Sequence, residues 1–377
     1  MKIGLVCTTI GDGKFLEGYC KQAEAEGVQE DVTFYIVPDL KTPHELYEQC
    51  YRFSSAGWDV WHEPINVQRM FLREQFGFDL IPVNSDNRRN VGYLKALQDG
   101  CEVIISIDDD NYCREDSGFF NLHSLVGQRD TQSEVQSSWC NICNHLRLKA
   151  YPRGFPYKQR NEKGPVILKS DVNGIVAVNE GLWMEDPDLD ALTWMSFTSK
   201  PEPVYNSRSF FLGDKTWSPI NSQNTAVSRE AMVANYFIPM GNVINGMRID
   251  HHADIFTGYF LQACVKKMGQ KIRIGTPIVN HIRNNHDYME DLVKEYACIQ
   301  MLEDLTEWLH EEKLDGTTYS DCYLSLAERM EDQVEKFTGK IWTVDAKSFI
   351  HRTAYCMRKW VGAYNRVCSL EYKGVLV

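Results

Sequence analysis

Short β-branched runs alternate with amphipathic stretches through the first third of the chain. Ile3–Thr8 and Val32–Val37 are continuous apolar runs of the length that forms buried parallel strands. Between them, Phe15–Glu26 spaces its apolar positions at helical intervals among charges. Leu80–Val83 is a further strand candidate, and Arg89–Asp99 follows as a helix that Gly100 ends. Val103–Ile107 is the most apolar run of this region and stops abruptly at Asp108, Asp109 and Asp110. This alternation predicts an α/β fold, a mainly parallel twisted sheet flanked by helices. Ligands of such sheets sit beyond the carboxyl ends of the strands, where the three aspartates fall.

The stretch from about Ser117 to Ile249 is rich in Asn, Pro, Gly and Trp, and reads as long loops and short strands that shape a substrate. Helical periodicity returns over Ile255–Met268, with Gly269 as its C-cap, and Ile272–Val279 reads as one more strand. From Tyr288 the pattern is mostly helical. An α/β domain over residues 1–285 and a helical extension over residues 286–377 are therefore expected. Residues 290–336 carry 14 acidic and 4 basic side chains, whereas 345–377 carry 2 and 6. That contrast either packs one segment on the other or marks two solvated faces. Ile350, Met357, Trp360, Val361, Tyr364 and Cys368 recur near helical spacing, as a core stripe or as a contact with a second copy of the chain.

Composition narrows the function. With 43% hydrophobic and 24% charged residues in 377, the chain is globular rather than disordered. A net charge of −12 disfavours nucleic acid and anionic membrane as partners. The twelve cysteines are scattered and read as small buried residues rather than a disulfide framework. No run approaches the ~20 apolar residues of a membrane span, and the run before Gly11 is short for a signal peptide. A soluble, cytoplasmic protein without a transmembrane segment is expected.

The triple aspartate is the sharpest chemical signal. Crowded carboxylates are costly without a cationic partner, and side chains two apart on a strand project to one side. Asp108 and Asp110 can thus converge on Mn²⁺ or Mg²⁺, with a diphosphate completing the shell. An acidic turn capping the next helix is the alternative. Arg88 and Arg89 open a helix upstream, either as a phosphate contact or as surface residues. His281 is a candidate nitrogen ligand in competition with His251, His252 and His286. Asp254 opens a helix, either for dipole reasons or as a base toward an acceptor hydroxyl. Cys140, Cys143 and His145 lack the second cysteine pair of a zinc ribbon. The phosphate loop, the dinucleotide fingerprint and the nucleophile elbow are all missing.

Ile105–Asp110 resembles the acidic strand end of nucleotide-sugar glycosyltransferases with the GT-A fold. The segments Arg89-Asn90-Val91-Gly92-Tyr93, Arg153–Arg160, Gly181-Leu182-Trp183 with Pro187–Ala191, Asn224–Glu230, and Asp254 through Gly258 ahead of His281 lie in family order. Together they are similar to the reversibly glycosylated polypeptides, which include UDP-arabinopyranose mutases. The resemblance spans roughly residues 1–310. It implies a nucleotide-sugar-binding catalytic domain, with Asp108, Asp110 and His281 holding Mn²⁺ or Mg²⁺ and Asp109 beside the sugar or ribose. It places Thr8 and Thr9 by the nucleoside, Asp39 at the uracil edge and Arg89 at the phosphates or sugar. Arg153 falls at the family's self-glycosylated arginine, Asp188 and Asp190 border the sugar, and Asp254 faces the acceptor. The chain departs from the family pattern between residues 40 and 80, around 190–215, and at His251-His252-Ala253, where substrate choice is expected to be made.

Three functions follow as expectations. The first is a metal-dependent glycosyltransferase that moves a sugar from a UDP-sugar donor to a hydroxyl-bearing acceptor. The second is a pyranose/furanose mutase of a UDP-sugar with self-glycosylation at Arg153. The third is a non-catalytic partner subunit of a sugar-transferring complex.

Overall fold

The computed structural model describes residues 1–76, 81–115, 117–160, 167–196 and 209–374. The amino-terminal half alternates as expected. Strand β1 (Ile3–Thr9), helix α1 (Leu16–Glu26) and strand β2 (Val32–Pro38) are followed by α2 (His44–Ser55), β3 (Asp59–Trp61) and α3 (Ile65–Phe76). Next come α4 (Arg89–Gln98), β4 (Val103–Ile107), the short β5 (Asn111–Tyr112), α5 (Phe119–His123) and β6 (Arg129–Gln136). The 19-residue β7 (Ile167–Glu185), α6 (Ala191–Ser196), β8 (Phe210–Leu212) and β9 (Asn224–Ser228) fill the middle. A hairpin of β10 (Val243–Ile244) and β11 (Met247–Arg248) leads to α7 (Ala253–Lys267) and β12 (Lys271–His281). Helices α8 (Tyr288–Glu311), α9 (Tyr319–Val334) and α10 (Val344–Gly374) end the chain.

Ten strands form one sheet in the order β3-β2-β1-β4-β9-β7-β6-β8-β12-β5, with β12 also pairing β7. Strands β1, β2, β3, β4, β7 and β12 run one way. The sheet is thus mainly parallel, and β9 is interleaved antiparallel between β4 and β7. Strands β1, β2 and β4 are apolar and buried almost throughout, as strands covered by helices on both faces must be.

Several expectations change in detail. Residues 81–83 form no strand, and Leu80 lies outside the described residues. Pro82 has no N–H for a ladder. Residues 44–76 fold mostly as α2, β3 and α3, and the tryptophans there are part of the packing. Trp58 is buried edge-on to Phe34 at 5.7 Å, and Trp61 lies 6.4 Å from Tyr35. They extend the core. The departure around 190–215 lies partly outside the described residues, which resume at Ser209. Strand β7 escaped the pattern because its first half is polar and exposed and only its second half is buried.

The carboxyl-terminal helices join the same apolar core as the sheet. Ile350, Met357, Trp360 and Val361 are buried, and the Trp360 indole donates to the Val233 carbonyl at 3.0 Å. The stripe is therefore internal, which removes the surface expected to receive a second copy. Charge pairs α9 with α10: Arg358 grips Glu331 through two hydrogen bonds of 2.7 and 2.8 Å, and His351 and Lys347 meet Glu335. Asp287 caps α8 and Thr318 caps α9 by accepting first-turn amides. All twelve cysteines are free thiols and nine are buried. Among the described residues no helix is long and apolar enough to cross a membrane.

Gly92 marks a close approach of α4 to β1 and β2. A Cβ there would lie 2.5 Å from Val6 Cγ1 and 2.9 Å from Val37 Cγ2. Gly92→Ala gains about 1 kcal/mol of helix propensity, but overpacking costs about 1–3 kcal/mol. We expect a net loss of about 1–2 kcal/mol in urea denaturation; a stabilised variant would show that α4 sits more loosely than described.

Candidate active site

The ends of β1, β2 and β4 and the tail of β12 open on one cavity of about 620 Å³. Ten carboxylates and five Lys or Arg residues line it. The segment Arg89–Tyr93 shows how the sequence builds the floor. Asn90 clamps the backbone of Phe237, donating to its carbonyl at 2.8 Å and accepting its N–H at 3.0 Å. The Tyr93 hydroxyl donates to Ser106 at 2.9 Å. Arg89 is thereby aimed into the cavity: it donates to Ser106 at 2.8 Å and twice to Ser222 at 2.9 Å, pairs with Asp108, and lies over the Phe237 ring at 5.2 Å. Arg88 points away, buried against Gln68 and the Ile81 carbonyl. Only one of the two arginines faces the cavity.

Strand β4 ends at Ile107, so the aspartates sit in a turn closed by Asn111 N–H on the Asp108 carbonyl. The two-residue alternation of a strand does not apply to them, and each carboxylate takes a different partner. Asp108 meets Arg89, Asp109 accepts from the Thr9 hydroxyl at 2.5 Å, and Asp110 lies 3.4 Å from His281 Nε2. Burial raises Asp108 and Asp109 above the ordinary carboxyl range, and neighbouring carboxylates add to it. Pairing of β5 with β12 sets Asn111 opposite His281, and this register brings Asp110 to the imidazole. His281 Nδ1 faces the Asp186 carbonyl at 2.7 Å, so Nδ1 carries the proton and Nε2 is turned to Asp110. Burial lowers the His281 pKa, but Asp110 outweighs it and the net shift is upward. Among the described residues no three His, Cys, Asp or Glu side chains converge as a preformed metal site.

Arg153 holds the opposite wall. Its Nε and Nη2 donate to Asp188 at 2.8 and 3.2 Å, and its Nη1 and Nη2 donate to Asp254 at 2.9 and 2.7 Å. Nη1 also donates to the His251 carbonyl. All five N–H groups are used. Burial penalises the guanidinium, yet the two carboxylates raise its pKa well above normal. Burial likewise pushes Asp188 up, but Arg153 brings it below the usual range. Gly154 allows the tight approach to α7: its φ is +82°, and a Cβ would meet Ile255 at 2.3 Å.

Some expected site residues hold structure instead. Asp39 lines the cavity, but its oxygens accept the N–H groups of Leu40, Asn84 and Ser85 at 2.7–3.1 Å. It pins two loops together. Thr8 donates to the Val37 carbonyl at 3.1 Å, leaving its oxygen to the cavity. Asp190 does not line the cavity. It caps α6 through Thr193 N–H at 2.7 Å and pairs with Arg160 at 2.6 Å. His252 is fully buried, and burial keeps its ring neutral.

In the sequence His251 and His286 are only competing ligand candidates, and their meeting with Asp291 is not legible there. His286 Nδ1 meets Asp291 at 2.7 Å, with His251 Nε2 at 3.5 Å from the other oxygen, and all three line the cavity. Burial and Asp250 push Asp86 up to about 7, and burial alone does most of the same for Glu295. His286 and Asp291 straddle the N-cap of α8, so their meeting depends on the cap geometry rather than on helical spacing. Cys140, Cys143 and His145 lie outside this cavity.

Comparison with known proteins bears on this geometry. UDP-arabinopyranose mutase 1 of Arabidopsis thaliana is 24% identical over 285 residues, covering 74% of this chain and 72% of that protein. UDP-arabinopyranose mutase 1 of Oryza sativa subsp. japonica is 25% identical over 287 residues, covering 74% and 71%. Among solved structures, glucosyl-3-phosphoglycerate synthase from Mycobacterium tuberculosis, in complex with Mn²⁺, UDP and phosphoglyceric acid, aligns with a TM-score of 0.41 at 13% identity, covering 84% of this chain and 80% of that one. Residues 79–369, which include Arg89, the three aspartates, Arg153 and His281, match the family described as reversibly glycosylated polypeptide, and the chain belongs to that family.

Proposed function

We propose that this protein is an enzyme acting on a UDP-sugar, and that it interconverts ring forms of that sugar rather than passing it to a second substrate. The names of its relatives support the substrate class. The observation that carries the choice of reaction is the commitment of Asp254. Both of its oxygens accept from Arg153, so the group expected to deprotonate an acceptor is held as a structural counter-ion. Isomerisation needs no acceptor. It needs the anomeric C–O bond to the diphosphate to break and re-form at the same carbon, while the ring opens at its own C–O bond and closes through another hydroxyl of the same sugar, whose proton passes to the released ring oxygen.

The chain's own residues supply most of this. Arg89 is fixed by four hydrogen bonds and stays charged, so it offers a rigid cation to the diphosphate as negative charge develops there. Thr8, Thr9 and the Asp39 loop frame the nucleoside end of the cavity. Asp188 and the Arg153 guanidinium form a polar wall for sugar hydroxyls. Arg153 has no free N–H and is flanked by two carboxylates that hold it charged, so it acts here as an anchor and not as a nucleophile.

A divalent cation fits the donor set. Asp110 and His281 Nε2 face one another, the tautomer leaves that nitrogen a lone pair, and Asp108 lines the same cavity. Those three residues would hold the ion, which when bound would neutralise charge on the leaving diphosphate. A cavity with twice as many carboxylates as Lys and Arg requires such a counter-charge to admit a diphosphate. One observation favours the transferase reading: the His286–Asp291 pair, which presents an imidazole to the same cavity as a base for an acceptor hydroxyl.

Incubation with UDP-arabinopyranose, followed by NMR of the anomeric protons, separates the two. A furanose isomer formed with no acceptor present is expected; UDP released only on adding an acceptor would reject the mutase reading. Asp110→Asn should weaken Mn²⁺-dependent UDP binding at least tenfold in calorimetry while changing unfolding free energy by less than about 1 kcal/mol. Binding that survives the change unaltered would take Asp110 out of the metal set. Glu295 has a folded pKa of about 7, above its unfolded value, so the native state keeps a proton that the unfolded chain loses. Its contribution is full at acid pH and is lost as pH rises towards 7, by up to about 1.4 kcal/mol per unit. Glu295→Gln should flatten the fall of thermal stability across that window, and an unchanged slope would contradict the assignment.

A further inference from the structure

A second cavity, of about 870 Å³, opens on the other side of the segment that carries Arg153. Residues 151–155 form a shared wall: Arg153 faces the candidate active site, while Tyr151 and Phe155 face the second cavity. The two spaces differ in chemistry. No Lys, Arg or Glu is among the described residues lining the second cavity, and Asp171 is its one carboxylate. Aromatic rings form one side. Phe155 lies 5.4 Å from Trp139 and 4.9 Å from Tyr151 between ring centroids. Amides and hydroxyls, including Gln132, Ser133, Asn141 and Asn144, form the rest.

We propose that this cavity is a binding site for an uncharged saccharide. Among the described lining residues a phosphate or carboxylate ligand would meet no Lys or Arg, and His145 is the one imidazole. A purely apolar ligand would strip water from the amides and hydroxyls and give nothing back. A sugar ring matches both surfaces, with C–H faces for the aromatic rings and hydroxyls for the amides. Asp171 fits the same role. The register of β6 on β7 skips at Ser133, between Gln132 and Glu134, and Asp171 sits opposite with φ +55°. Such a bulge re-aims a side chain, and here it sets a carboxylate on the cavity rim, where it can accept from two neighbouring hydroxyls.

The inference does not depend on turnover at the other site, so it is tested by direct binding. The full chain, saturated with UDP and Mn²⁺, is mixed with xylotriose, cellotriose or maltotriose, and saturation transfer to the sugar protons is measured by NMR. Transfer to at least one trisaccharide is expected, undiminished by UDP. Asn144 and Asp171 are exposed, so Asn144→Ala and Asp171→Asn leave the fold intact and should each weaken the affinity about tenfold. Trp139→Ala should abolish binding. Absence of transfer to all three sugars, displacement of the sugar by UDP, or full binding by both rim variants would each overturn the proposal.

Discussion

One guanidinium ties the candidate active site together. Arg153 reaches Asp188 beyond the end of β7, Asp254 in the first turn of α7 and the His251 carbonyl before it. The segments around residues 153, 188 and 251–254 are far apart in sequence and share no strand ladder at that point. Removing the arginine would leave two buried carboxylates facing each other, a change of the kind that costs about 3–5 kcal/mol. The wall of the cavity therefore depends on a single charge being present and immobile. This is also why Asp254 is read as part of a scaffold: both of its oxygens are taken up by the buried arginine.

Opposite that wall the charge balance runs the other way. Three consecutive aspartates meet Arg89, Thr9, Asn111 and His281, and burial already favours the neutral forms of Asp108 and Asp109. The protein holds this half of the cavity short of positive charge while keeping the other half saturated. A ligand that brings its own cation relieves the first half without disturbing the second. The asymmetry gives the cavity a direction, from the aspartate end to the Arg153 wall.

Much of this was legible in the chain, for identifiable reasons. The abrupt stop of Val103–Ile107 at three aspartates located the sheet rim, since consecutive carboxylates end a buried apolar run. Arg89, His281 and Asp188 were expected at the cavity and lie there. Asp190 and Asp39 were assigned by their position in a motif, and a motif does not distinguish a carboxylate that greets a ligand from one that caps a helix or gathers loop amides. That difference is decided by backbone N–H groups from distant segments. The pairing of His286 with Asp291 was hidden for a similar reason: it depends on how α8 begins. Strand β7 was missed because half of it is solvated, so its pattern reads as loop until its neighbours are known.

The free thiols have a practical meaning. Burial raises the Cys20 and Cys50 pKa values to about 12, and nine of the twelve sulfurs lie inside the core. Alkylating reagents attack the thiolate, so these positions stay silent while the molecule is closed and react only as each region breathes. Spread from the first strand to the last helix, they form a built-in set of reporters through which the opening of each layer can be timed separately, with no label introduced.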